Sequence, residues 1–139
     1  MSTLVIQNDV GELRRLNQAI EQFARECDLP AGEQNAIELV LEELVTNAIH
    51  HGYPEGGEHE MSIGLRMDGN VIEMRLEDDG HPFDPTRAEE ADTKSSIADR
   101  AIGGLGIHLV KNLVHEMAYA RRQGRNVLTL RRVVGPDPG

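Results

Sequence analysis

Apolar residues recur at helical spacing twice in the first part of the chain. Over residues 10–27, Leu13, Leu16, Ile20 and Phe23 fall on one face, with Asn8 or Asp9 placed to cap the first turn. Over roughly 33–50, Ile37, Val40, Leu41, Leu44, Val45 and Ala48 form a second stripe, which Gly52 and Pro54 stop. Residues 3–6 read as a short strand before them, and residues 29–32 as the loop between them. The period then changes. Residues 61–67 and 71–78 alternate apolar and polar about Asp68 and Gly69, which predicts a hairpin. Residues 80–103 carry Gly, Pro, Asp, Thr and Ser with few apolar positions. A connection of that length in a small domain is usually functional or disordered. A third helix is expected over 105–116, then strands over 117–122 and 126–133 that turn at residues 123–125. The tail 135–139 is expected to be disordered, leaving 1–134 as the domain. The order β-α-α-β-β-loop-α-β-β predicts an α+β two-layer sandwich, with a mixed β-sheet and three helices on one face.

The chain has 139 residues, which suits one domain with its own core. With two Tyr, two Phe and no Trp, that core must be aliphatic. Fourteen basic against 24 acidic residues give a formal charge of −10. That balance argues against a nucleic-acid partner, whose phosphates call for a basic patch. An acidic protein that takes a polyphosphate must screen its own field locally, with Mg²⁺ and backbone N–H groups. Cys27 is the sole cysteine, so no internal disulfide can form. No apolar run has the length of a membrane span, and no basic segment followed by an apolar stretch opens the chain. No membrane partner and a cytoplasmic location are therefore expected.

Three segments could carry chemistry. Glu43 and Asn47 are four apart on the second helix, on one line at the edge of its apolar stripe. An Asn carbonyl oxygen suits Mg²⁺, and a carboxylate one turn away can take a proton from a hydroxyl. Asp78 continues the face of Ile72, Met74 and Leu76, so it points to the core while Asp79 points away. A buried carboxylate needs donors, and an adenine amino group would be one. Gly80 beside it allows a flat group close to the backbone. Gly103, Gly104 and Gly106 precede a helix and free backbone N–H groups for an anion, although the spacing is not that of a P-loop. Each segment alone has a plain structural explanation: a polar helix border, a turn cap, a hinge. Together they supply the metal, base and phosphate walls of a nucleotide pocket. His50, His51 and His59 do not have metal-ligand spacing, and Cys27 reads as a core residue.

The run from Glu43 to Tyr53 (ELVTNAIHHGY) resembles the N-box of the gyrase, heat-shock chaperone, histidine-kinase and MutL ATPase superfamily. Its form is similar to that of the anti-sigma-factor serine/threonine kinases. Residues 78–85 (DDGHPFDP) resemble the next box of that branch, and residues 103–107 (GGLGI) its last glycine box. The resemblance runs from about residue 3 to 133. It implies a histidine-kinase-like ATPase fold that binds ATP and Mg²⁺. Asn47 would ligand the metal and Glu43 would be the general base. Asp78 would bind the adenine amino group, with Gly80 beside the ring. Gly104 and Gly106 would hold phosphates, and 85–102 would form a lid. His51, Phe83, Gly103 and Leu105 are carried over with them as nucleotide-binding positions.

The implied reaction is transfer of the γ-phosphate to a serine or threonine of a STAS-type anti-sigma-factor antagonist. The resemblance also implies control of a sigma factor by partner switching, and a homodimer. Ile102 stands where the usual box has its first glycine. The alternative is a binding module that docks a sigma factor or a phosphatase in a nucleotide-dependent way without turnover. A third reading is a detached catalytic domain of a histidine kinase.

Overall fold

A computed structural model describes residues 2–87 and 105–135 of the chain. Its strands are β1 (Ser2–Gln7), β2 (Glu60–Asp68), β3 (Val71–Asp78), β4 (Glu116–Arg122) and β5 (Arg125–Val133). Its helices are α1 (Leu13–Glu26), α2 (Ala31–Gly52) and α3 (Leu105–Leu113). Every expected element is present, with ends shifted by a few residues. Residues Val10–Glu12, expected as the first turn of α1, wind as a 3-10 turn capped by Asp9, whose side chain accepts from Gly11 N–H at 3.0 Å. Asn8 does something else. Its Oδ1 accepts from His59 N–H at 2.9 Å and ties the chain to the start of β2. The expected lid lies, beyond Arg87, outside the described residues, and so does the tail beyond Gly135.

The sheet order is β1-β2-β3-β5-β4, and every ladder is antiparallel. A mixed sheet was the expectation from the element order, and the structure corrects it. The helices α1 and α2 run out and back, so the chain re-enters the sheet beside the end of β1, and β2 runs against β1. The single helix α3 sets β4 parallel to β3, but β5 enters between them and pairs with both. The parallel relation therefore exists in direction and not in hydrogen bonding.

The period of two buries one face of this sheet. Met61, Ile63, Ile72, Met74 and Leu130 are at most 1% exposed. They meet Leu16 and Ile20 from α1, Ile37, Leu41 and Leu44 from α2, and Val110 from α3 in one aliphatic core. The other face is charged, with Arg66–Glu73 and Arg75–Glu77 pairs at 2.8 and 2.7 Å. Such exposed pairs add little stability. Arg132 does more: its Nε donates to Glu33 in the first turn of α2 at 2.7 Å, and its NH1 to the carbonyl of Leu113 at 2.6 Å. It thus joins β5, the start of α2 and the end of α3. Among the described residues no helix is long and apolar enough to cross a membrane.

Leu41 is fully buried between the layers. Leu41→Ala is expected to cost about 2–5 kcal/mol, read as a lower urea midpoint with an unchanged slope. A loss below about 1 kcal/mol would mean that the layers close over the gap.

Candidate functional site

The long helix α2 puts Glu43, Asn47 and His51 on one line at successive intervals of four. Asn47 is 4% exposed. Its Nδ2 donates to the Glu43 carbonyl at 2.8 Å. The donor end of the amide is bound to the helix, and Oδ1 is the acceptor left for a ligand. His51 stacks on Phe83, with centroids 4.1 Å apart and planes 13° from parallel. Burial, aided by the neighbouring His50, lowers the His51 pKa.

Asp78 ends β3 on the inward face, as the alternation predicts, and is 4% exposed. Its Oδ1 accepts from Gly80 N–H and from Asn126 Nδ2, both at 2.9 Å. Among the described residues nothing donates to its Oδ2. Burial pushes the carboxyl pKa up; Asn126, the Gly80 N–H and Arg121 pull against this, and the net shift is upward. Asp79 points the other way. It accepts from the Tyr53 hydroxyl at 2.6 Å, and its own N–H donates to that oxygen at 3.1 Å. The Tyr53 hydroxyl, with help from His59, lowers the Asp79 pKa.

Gly80 has a reason that its place beside Asp78 did not disclose. A Cβ there would lie 2.8 Å from both Cα and O of Gly52, the last residue of α2. The group that approaches this backbone is another backbone, locked by His81 N–H donating to Gly52 O at 2.8 Å. Between α2 and the sheet lies a slot with walls of Leu44, Ala48, Leu76, Phe83, Pro85 and Leu128. Its polar groups are Asn47, Asp78, Tyr119 and Asn126. The slot is narrow and partly open to solvent, with a free volume of about 20 Å³.

Gly103 and Gly104 lie outside the described residues, and Leu105 begins α3. Gly106 packs in the first turn of α3 against the Glu43 carboxylate, so close that a Cβ would collide with it. The structure therefore brings together Glu43, Asn47, His51, Asp78, Gly80, Phe83 and Gly106. Three residues of the site were not expected from the sequence: Asn126, Tyr119 and Arg121, whose NH1 donates to Gly80 O at 2.7 Å. The signal for Asn126 was present: it shares the inward face of Leu128 and Leu130, as Asp78 shares that of Leu76.

Folding raises the Asp78 pKa above its unfolded value, so its ionisation opposes folding. That cost is present at neutral pH, begins to fall as pH drops through the folded value, and is gone below the unfolded one. Asp78→Asn removes the charge and is expected to unfold at higher urea than the intact chain at about pH 7. The gap should close as the pH approaches the ordinary Asp value of about 4. A variant less stable at neutral pH would mean that the carboxylate anchors the fold.

Residues 6–132 match the model of the histidine kinase-like ATPase domain. Serine/threonine-protein kinase BtrW of Bordetella bronchiseptica is 29% identical over 99 residues, 71% of this chain and 70% of that protein. Anti-sigma F factor of Bacillus subtilis is 24% identical over 99 residues, 71% of this chain and 68% of that protein. Among solved structures, the RsbU and RsbW domains of a Mycobacterium tuberculosis protein superpose with a TM-score of 0.62 at 18% identity. That match covers 98% of this chain and 34% of the other, and is a likeness of fold.

Proposed function

The chain belongs to the histidine kinase-like ATPase domain family, and from that premise we propose that it is a serine/threonine protein kinase of the anti-sigma-factor type. It binds Mg-ATP within residues 1–134 and transfers the γ-phosphate to a serine or threonine of a small STAS-type antagonist. The observation that carries this reading is Asp78. Its carboxylate is fixed at one oxygen and presents the other as an acceptor beside an apolar slot. An acceptor-only group in such a slot suits the amino edge of adenine, with the ring between Leu76, Leu128 and Ala48. Gly80 holds the turn that aims this group, and Phe83, stacked on His51, supplies one wall of the slot.

The remaining roles follow from chemistry. The Asn47 Oδ1, an oxygen donor, fits a hard cation. Mg²⁺ bound there would neutralise charge on the phosphates. Backbone N–H groups of Leu105 and Gly106, where α3 starts, suit the phosphate oxygens, and Gly103 and Gly104, which precede them in sequence, would share this role. Glu43 stands against that same turn. It takes the proton of the attacking hydroxyl as oxygen bonds to the γ-phosphorus and the bond to ADP breaks. Residues 85–102 serve as the lid. The kinase name of one relative and the anti-sigma name of another support the activity and the partner class. A sigma factor as second partner, a homodimer and a cytoplasmic setting complete the reading.

The test is calorimetric titration with ATP, with and without Mg²⁺, beside transfer of labelled phosphate to a STAS-type antagonist. Asn47→Ala should lose the magnesium-dependent part of the affinity. Glu43→Ala should bind ATP within about threefold of the intact chain and slow transfer by about 10²–10⁴-fold. Binding without transfer by the intact chain would leave the nucleotide-dependent docking module. No binding at all would refute the nucleotide reading.

A further inference from the structure

We propose that Asn126, held in place by Tyr119, is the positioning residue that fixes the direction of Asp78 and so sets a preference for a purine with an exocyclic amino group. This rests on the nucleotide reading of the slot. Asn126 faces Asp78 as its Cα partner in the β3–β5 ladder and is 7% exposed. Its Nδ2 donates to Asp78 Oδ1 and to the carbonyl of His81, both at 2.9 Å, with the carbonyl of Gly80 at 3.4 Å. Its Oδ1 accepts from the Tyr119 hydroxyl.

This surrounding admits only one orientation of the amide. Three acceptors converge on Nδ2, and one donor meets Oδ1. A flipped amide would turn its oxygen towards a carboxylate and two carbonyls. The amide in turn directs the carboxylate. With two donors on Oδ1, the plane of the Asp78 carboxylate is set, and Oδ2 remains for the ligand. Arg121 holds the Gly80 carbonyl of the same turn but makes no hydrogen bond to the carboxylate among the described residues. Without Asn126 the carboxylate keeps only the Gly80 N–H, while its burial favours the protonated form. A protonated carboxyl both donates and accepts, so it no longer discriminates against a base that lacks the amino donor.

The experiment titrates ATP and purine riboside 5′-triphosphate, which lacks the amino group, into the intact chain, Asn126→Leu and Tyr119→Phe. Thermal melting confirms that each is folded. The intact chain should prefer ATP by about 10–100-fold, the worth of a hydrogen bond to a charged group. Asn126→Leu should bring the two ligands within about threefold, and Tyr119→Phe should fall between. A folded Asn126→Leu that keeps the full preference overturns the role of Asn126 and leaves the nucleotide reading intact. An intact chain that binds neither ligand overturns both, by a separate signature. If Asn126→Leu does not fold, Tyr119→Phe decides. A preference reduced by about threefold or more supports the relay, and an unchanged one overturns it.

Discussion

The close passage of two backbones, Gly52 at the end of α2 and Gly80 after β3, is the constraint on which the site depends. A side chain at Gly80 would push the two segments apart, because its Cβ would sit 2.8 Å from Gly52. The passage sets how near α2 comes to the end of the central strand. Asn47 lies on one side of the resulting slot and Asp78 on the other, and both are buried. Tyr53 and Asp79, just past the same crossing, brace it from the solvent side. A buried carboxylate is tolerable there because donors from β5 and from the turn meet it.

Much of this was legible in the sequence. The period of two placed Asp78 inside and Asp79 outside, and the period of 3.6 put Asn47 one turn after Glu43. The hairpin at Asp68 and Gly69 and the stop of α2 at Gly52 were likewise set by local chemistry. What escaped was long-range. Asn126 lies 48 positions from Asp78 along the chain, and only the β3–β5 register brings them together. The order of strands escaped for the same reason: local pattern fixes a strand but not its neighbour. The role of Gly80 was half read. Its need for a close approach was visible, but not that Gly52 would make it.

Glu43 and Gly106 illustrate how one position can serve two demands. The turn that opens α3 has the N–H groups and positive dipole end of a helix start, which favour an anion. In this structure the Glu43 carboxylate stands against that turn. On the proposed reading, phosphates and the carboxylate share one small region of positive potential. The base would then be held near the group it must serve without a separate cation.

The position of β5 bears on how the protein is assembled. β1, β2 and β3 are neighbours in the sheet, and β2 and β3 join through a tight turn, so they can pair early. β4 and β5 form a second hairpin through an equally tight turn, and β5 docks on β3 as the pairing that joins the two halves of the sheet. Until it does, Asp78 lies on an open sheet edge, without Asn126 or the wall made by Leu128. Such late, non-local closure is slow compared with hairpin formation. One wall of the slot and the Asp78 donor both come from β5, so the pocket is complete only once the two hairpins have joined.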